Sequence, residues 1–398
     1  MAVAHGYGKI AGTDALTFAY DTGDAINSYR GEPTTNIIAD PLYRLGVKNA
    51  YYDTNNTGWG TITRGKIEEV MGPFGKPVQA YSQELISYNS GNRSIEGQPQ
   101  EVVNNVNCLV NLTAGVTYRI SVWIKATYTG TSQNRLYISG TAAVGDGNNR
   151  QVTTEWQRIS RTYTPSTSGN YYMRHYDYSS GKEVGAKIWY ALPQVEVDKG
   201  HDTQFIEGTR STTQSLLDLT GNSTINLSNI SFNNNAQPTW DGTDDYIDTT
   251  KTASDLGIYD SEYTLEAVFK LTVTTANDNM VFGTNQTSLR QGMHNGVRNG
   301  TIYFGHYASD YAAGSVGLNE IVHVAWVYDG TTAFIYKNGI LQGSGNILSF
   351  IGTTNIWVGR HWGYFAGDIY LAKIHNRSLT SLEVANNYRH YKTRFNLP

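Results

Sequence analysis

A single cysteine, Cys108, stands among 398 residues, so no intramolecular disulfide can staple this chain. It lies in the alternating stretch Asn107-Cys108-Leu109-Val110 and reads as an inert core thiol, because a reactive one needs an accessible, electropositive setting. Charge is scarce at 16% of residues, and the net charge of −4 lacks the basic footprint of a nucleic-acid binder. No basic amphipathic stretch suggests a helix lying on a membrane, and no apolar run approaches the length of a span. The opening Met1-Ala2-Val3-Ala4-His5-Gly6-Tyr7-Gly8 has neither a basic n-region nor an apolar core, so no signal peptide and no export are expected. Triplets such as Asn92-Arg93-Ser94 are expected by chance in a chain this rich in Asn and Thr.

What is present is tyrosine (29), glycine (41) and short β-branched or aromatic runs broken by Gly, Asn, Asp and Ser. That texture predicts an all-β protein of sandwich type, long enough for more than one buried core. Ala15–Tyr20 is a first strand, and Pro33 marks a break. From Ile37 to Gly208 runs one strand-rich unit, with strands at Thr117–Thr127, around Trp156 to Tyr163, and at Lys187 to Val197. In the clearest, Tyr118, Ile120, Val122 and Ile124 alternate with Arg119, Ser121, Trp123 and Lys125, so one face is buried and one wetter. Trp123, Trp156 and Trp326 lie in strand patterns and read as core.

After the linker-like stretch 208–213, a second unit continues to the end. Leu265, Ala267, Phe269 and Leu271 share one side of a strand. His323–Tyr328, Thr332–Lys337 and Ile340–Leu341 follow as strands joined at Asp329-Gly330 and Asn338-Gly339, pairs that accept the positive φ angles of type I′ turns. One helix is expected: Thr380-Ser381-Leu382-Glu383 has capping-box spacing and opens a segment to about His390, with Leu382 and Tyr388 inward.

Several segments of the second unit resemble, in order, the concanavalin-A/laminin-G-like jelly rolls of tailed-phage structural proteins. They are Leu217-Asp218-Leu219-Thr220-Gly221-Asn222, Trp240-Asp241-Gly242-Thr243-Asp244-Asp245-Tyr246-Ile247, Tyr336-Lys337-Asn338-Gly339 and Trp357-Val358-Gly359-Arg360. Gly367-Asp368-Ile369-Tyr370 and Ile374-His375-Asn376-Arg377-Ser378-Leu379-Thr380 complete the series. The first unit is similar to carbohydrate-binding-module jelly rolls through Leu112-Thr113-Ala114-Gly115-Val116-Thr117-Tyr118, Glu155-Trp156-Gln157-Arg158 and Gln194-Val195-Glu196. Asp14-Ala15-Leu16-Thr17-Phe18-Ala19-Tyr20-Asp21 resembles the strand that opens simpler relatives just before their Leu-Asp-Leu-Thr-Gly segment. The resemblance therefore implies two jelly-roll β-sandwiches, the first inserted near the N-terminus of the second. Residues 1–36 would supply a strand to the C-terminal domain, 37–208 the inserted jelly roll, and 209–398 the concanavalin-A/laminin-G-like sandwich with its short helix.

Glycosidases need two carboxylates flanking the scissile bond. The Glu-x-Asp-x-x-Glu triplet of the resembling glucanases is absent, Glu68-Glu69 would point to opposite strand faces, and Asp244-Asp245 read as turn caps. No catalytic residue and no enzyme activity is expected. His294, His306 and His361 lack metal-ligand spacing and read as surface hydrogen-bonders, and Gly6-Tyr7-Gly8 lacks the strand–loop–helix context of a phosphate cradle. No cofactor is expected, although both resembled families often hold structural calcium. Asp146-Gly147-Asn148-Asn149 and Asp278-Asn279 are the loops with suitable hard oxygen ligands.

Sugar rings stack on Trp and Tyr while their hydroxyls seek carboxylate, amide or Arg partners. The residues fitting that chemistry are Arg360, His361, Trp362 and Tyr364 in one bend, with Tyr307, Asp310 and Tyr311 in another. In the first unit they are Tyr171, Tyr172, Arg174 and Tyr176. Tyr-rich loops also suit protein–protein contact, so these residues are read as partner or glycan contacts. The resemblance implies a non-enzymatic virion protein of a tail fibre, collar or baseplate, made in a host cytoplasm and contacting host-surface glycan. A capsid decoration or head-fibre protein acting through protein contacts is the second reading, and a free lectin or glycan-degrading enzyme the third. Other virion proteins are the expected partners. Homo-oligomerisation, with trimers common among fibres, is expected by analogy, since no coiled-coil heptad specifies it.

Overall fold

A computed structural model describes residues 12–39, 41–42, 47–48, 52–56, 61–88, 95–97, 100–101, 109–129, 134–139, 152–177, 182–273 and 278–398. Cys108 lies outside the described residues. The chain is almost wholly β and divides into Met1–Pro33 with Arg210–Pro398, and Thr34–Thr209.

The discontinuous unit is a sandwich of two antiparallel sheets. One sheet runs Ser231–Phe232, Pro238–Asp241, Ala366–His375, Tyr263–Leu271, Ile321–Tyr328, Thr332–Lys337 and Ile340–Asn346. Its N-terminal contribution, Leu16–Asp21, pairs antiparallel with Ala366–His375, Phe18 opposite Ile374 and Asp21 opposite Leu371. The other sheet runs Ile247–Asp248, Trp357–Val358, Asn279–Gly283, His294–Arg298, Thr301–His306 and Ser309–Ser315. Period-two alternation turns Leu265, Ala267, Phe269 and Leu271 into the shared core, with Phe18, Tyr20, Phe282, Phe304, Trp326 and Val358. Trp326 is fully buried, stacks on Phe269, and gives its indole N–H to the Tyr303 carbonyl at 2.8 Å, so its one polar atom is satisfied.

The two expected type I′ turns differ. Asn338 (φ 51°) and Gly339 (φ 75°) both take positive φ, as a two-residue turn requires. At Asp329-Gly330 only the glycine does, because the Asp329 carboxylate caps the amides of Thr331 and Thr332 at 2.9 and 2.8 Å and widens the loop.

The helix α1, Ser381–Arg394, covers the outer face of the larger sheet. Its capping box is complete: the Glu383 amide donates to the Thr380 hydroxyl at 3.3 Å and the Thr380 amide to the Glu383 carboxylate at 2.8 Å. Leu382 does not face inward as expected; it is 64% exposed. The buried stripe is Val384, Asn387 and Tyr391, at spacings of three and four, and Tyr388 lies half-buried beside it.

In the second unit, one sheet runs Gln157–Tyr163, Tyr118–Ala126, Lys187–Val197, Pro77–Tyr88, Thr61–Met71 and Tyr52–Asn56. It packs Ile120, Val122, Ile124, Ile188 and Tyr190 against residues such as Val110, Leu112, Tyr171 and Met173 of a second sheet. Thr34 and Asn36 are tied into this unit: Thr34 gives its hydroxyl to buried Glu196 at 2.5 Å and Asn36 its amide to the Pro193 carbonyl at 3.0 Å. The Thr35 and Thr209 hydroxyls lie 3.0 Å apart, so the unit begins and ends side by side, the geometry that lets a domain sit within another.

Candidate functional site

The outer face of the six-stranded sheet in the discontinuous unit carries most of the chemistry. Strand alternation sends Ile302, Phe304, Val297 and Val358 into the core, leaving His294, Tyr303, Trp357 and Asp310 on the other side. Two glycines clear that face. A Cβ on Gly283 would meet the Arg360 carbonyl oxygen at 2.1 Å, and one on Gly305 would meet the His294 ring nitrogen at 2.0 Å. The bend after Trp357–Val358 therefore lies flat across the sheet, closed by the His361 amide donating to Gly363 O at 3.0 Å.

Trp362 projects from this bend and is 58% exposed. Its ring stacks on His361 at 4.7 Å and meets Tyr307 edge-on at 5.9 Å. His361 lies 5.2 Å from the His294 ring. Two carboxylates hold the histidines, Asp278 half-buried and Asp310 exposed. Asp278 accepts from Arg298 at 2.7 Å and meets His361 Nδ1 at 3.1 Å, and Asp310 meets His294 Nε2 at 2.9 Å. The second His294 nitrogen faces the Gly292 carbonyl at 3.0 Å, so the ring is fixed at both ends. Burial alone would raise both carboxyls, but the hydrogen bonds from His361 and Arg298, and from His294, hold Asp278 and Asp310 below the ordinary carboxylate range.

Arg360 occupies the other side of the bend. Its guanidinium lies 4.2 Å over Trp357, 4.6 Å over Tyr246 and 5.3 Å over Tyr364, an open box of three rings.

The structure thus brings together Tyr307, Asp310, His361 and Trp362, and sets Arg360 and Tyr364 beside them in the same bend. Tyr311 is not among them. It is one residue from Asp310 on a strand, so it faces inward, packs on the core, and fills the space above Gly343 and Gly345. Nor is Tyr171 on a surface: it is buried against Tyr163 at 5.7 Å and gives its hydroxyl to the Thr167 carbonyl at 2.7 Å. The side chains of Tyr172, Arg174 and Tyr176 lie outside the described residues.

His294, His306 and His361, expected at the surface, are all buried. His306 belongs to the core instead of this site. Burial pushes it down to about 4, and its neutral ring meets the Tyr263 hydroxyl on one side and the Leu348 carbonyl at 2.6 Å on the other.

Of the loops read as calcium candidates, Asp146-Gly147-Asn148-Asn149 lies outside the described residues. Asp278 is engaged by Arg298 and His361, and Asn279 by Val273 O and the Ala366 amide, at 3.0 and 3.1 Å, so that loop does not fit a cation. Among the described residues one acidic group converges, Asp241, Asp244 and Asp245. Asp245 accepts from the Asp241 and Ser231 amides at 2.7 and 3.1 Å, and Asp241 from Thr243 at 2.7 Å, so the turn itself uses these oxygens. Burial pushes Asp245 up to about 6.

Sequence reasoning missed two features. Tyr246, Trp357 and Arg298 join this face through pairings that no local pattern reveals, as does Asp278, which the sequence marked only as a calcium-loop candidate. In the second unit, Trp123 and Trp156, read as core, lie half-buried with Trp189 outside the main core, packed against a smaller buried cluster of Ala80, Ala191 and Leu192, and Phe74 meets Trp123 at 5.3 Å. The signal was available, since Trp123 alternates out of phase with Val122 and Ile124.

Residues 241–385 match the profile of the concanavalin A-like lectin/glucanases superfamily, so the discontinuous unit carries a concanavalin A-like jelly-roll domain. Among solved structures, domain 4 of AbnA, a GH43 extracellular arabinanase from Geobacillus stearothermophilus, in complex with arabinotriose, aligns with a TM-score of 0.32 and 18% identity, over 45% of this chain and 93% of that one. The CBM40 of Ruminococcus gnavus IT-sialidase bound to α2,3-sialyllactose aligns with a TM-score of 0.32 and 17% identity, over 37% and 92%. A heptameric SAP-like pentraxin from Limulus polyphemus aligns with a TM-score of 0.27 and 15% identity, over 37% and 78%. No curated protein matches the sequence significantly. Among the described residues, no helix is long and apolar enough to cross a membrane.

Proposed function

We propose that the chain is a non-enzymatic, glycan-contacting structural protein of a phage particle, carried on a tail fibre, collar or baseplate. The observation that carries the glycan part is Trp362, an exposed indole backed by His361 and flanked by Tyr307, with the exposed Asp310 carboxylate bound to His294, the next ring of the same layer. A sugar stacks its apolar face on such a ring and gives hydroxyl hydrogens to such a carboxylate. The lectin-type fold of the matched segment supports the same reading. The virion part rests on the resemblance of the segments from Leu217 to Thr380.

A binding role without turnover is supported by the carboxylates of this face. A glycosidase acid must keep its proton near neutrality, so its affinity for that proton has to be raised. Asp278 and Asp310 are both shifted the other way by their partners.

The test is a glycan array with the full chain, read beside Trp362→Ala and Tyr307→Ala, with a reducing-sugar assay on every glycan that binds. Wild-type binding that falls at least about tenfold in Trp362→Ala, with no sugar released, is the expected result. A silent array, or release of sugar, rejects the reading.

A second reading, capsid decoration through protein contact, is favoured by one feature. The edge strand Ile340–Asn346 exposes Ile340 (67%) and Leu341 (48%), a pattern suited to covering by another chain. Imaging the particle that carries this chain distinguishes the two locations.

A further inference from the structure

We propose that Arg360 reads an anion, so that the ligand of this face is an acidic glycan bearing a carboxylate or sulfate. The inference deepens the glycan reading above and rests on it. Arg290, Arg298, Arg377 and Arg394 in this unit each meet a carboxylate, on Asp260, Asp278, Glu383 and Asp21, at 2.6, 2.7, 2.7 and 2.5 Å. Arg360 differs. Its guanidinium contacts the rings of Tyr246, Trp357 and Tyr364, and among the described residues no carboxylate, carbonyl or hydroxyl accepts from it.

That arrangement has a physical consequence. Arg360 is half-buried, so its N–H groups have lost part of their water without gaining protein acceptors. The rings fix the plane of the guanidinium through its faces and leave its edges to offer a planar donor fork. A fork of that kind matches the paired oxygens of a carboxylate or the oxygens of a sulfate, and charge assistance makes such bonds the strong ones. The carboxylates of the neighbouring platform are engaged elsewhere. Asp278 is engaged by Arg298 and His361, and Asp310 by His294, and neither carboxylate pairs with Arg360. Two residues of backbone, at most about 7 Å, separate it from Trp362. A short oligosaccharide stacked on the indole would carry an acidic substituent to the fork.

Matched probes test this on the full chain: trigalacturonate against its methyl ester, and a sulfated N-acetyllactosamine against the unsulfated sugar. Wild type should prefer at least one acidic member about tenfold or more, and raised salt should shrink that preference. In Arg360→Gln the ratio should fall to about one, with Arg360→Lys between the two, and thermal melts confirm that each variant is folded. If Arg360→Gln does not fold, the lysine variant and the salt series decide. Equal wild-type binding of acidic and neutral members, or a preference that survives Arg360→Gln, overturns the proposal. Equal binding that Trp362→Ala abolishes would leave the glycan reading standing while this one falls. Binding to no member, or binding indifferent to Trp362→Ala, sinks both.

Discussion

The Asn387 side-chain amide lies 3.1 and 2.9 Å from the two oxygens of Glu266, a carboxylate with no exposure to solvent. His323 and His375 approach the same carboxylate at 3.2 and 3.1 Å, and the other nitrogen of His375 lies 3.1 Å from the Gly12 carbonyl. One buried charge thus joins the helix, two strands and the N-terminal segment. Burial opposes ionisation here, but the two histidine hydrogen bonds hold Glu266 well below the usual carboxylate range.

Asn387→Ala removes a donor that Glu266 cannot replace with water, and should lower unfolding free energy by about 2–3 kcal/mol. Asn387→Asp sets a second carboxylate against the first and should cost more. Urea unfolding at neutral pH measures both. A loss within about 0.5 kcal/mol for the alanine variant would show that the amide contributes only packing.

Two buried groups should shape acid stability in opposite directions. His306 is held down to about 4, whereas an unfolded histidine titrates near about 6.5. As pH falls through that window, the unfolded chain takes up a proton the folded chain refuses, so His306 costs up to about 3 kcal/mol by pH 4. Asp245 is pushed up to about 6, so between about 6 and 4 the folded state binds the extra proton and gains stability on acidification. Urea midpoints across this range should fall less steeply in His306→Gln and more steeply in Asp245→Ala than in wild type. Parallel curves for all three would refute the assignment.

Much of the fold was legible because strands and caps are written locally. Leu265, Ala267, Phe269 and Leu271 mark a buried face by period alone, Asn338-Gly339 marks a turn, and Thr380 with Glu383 marks a helix start. The site was legible only as residue types. Which of Asp310 and Tyr311 faces out depends on the pairing of Asp310 with Gly305, and the box around Arg360 depends on Ile247–Asp248 pairing with Trp357–Val358. The first is the register of a tight hairpin and the second a pairing between strands far apart in sequence, and in either a shift of one residue would exchange the faces. Tyr171 failed for the same reason, since its strand turns it into the core.

The helix offers a direct comparison. Leu382 is apolar and near the start, yet it faces solvent, while Val384 is fully buried against Ala325 and Val327. Leu382→Ala should change stability by less than about 0.5 kcal/mol, as surface substitutions do. Val384→Ala removes two buried methyl groups and should cost about 2–3 kcal/mol, transfer and cavity together. Equal effects in thermal or urea unfolding would contradict the orientation of the helix.

Gly305 tests whether the histidines hold the proposed binding face. An alanine Cβ there would fall 2.0 Å from His294 Nε2, closer than any atom can remain, while the Gly305 amide is fixed by the Asn295 side chain at 2.8 Å. The ring must therefore give way, breaking its 2.9 Å contact with Asp310 and pressing on His361, 5.2 Å away, on which Trp362 stacks. Overpacking of this kind costs about 1–3 kcal/mol, and glycan binding should drop in step as the platform tilts. Gly317 is the control, because a Cβ there meets nothing closer than the Glu320 carboxylate at 3.4 Å. Gly317→Ala should leave stability within about 0.5 kcal/mol and binding unchanged. If Gly305→Ala binds glycan as wild type does, the histidine layer is packing alone and the indole stands without its support.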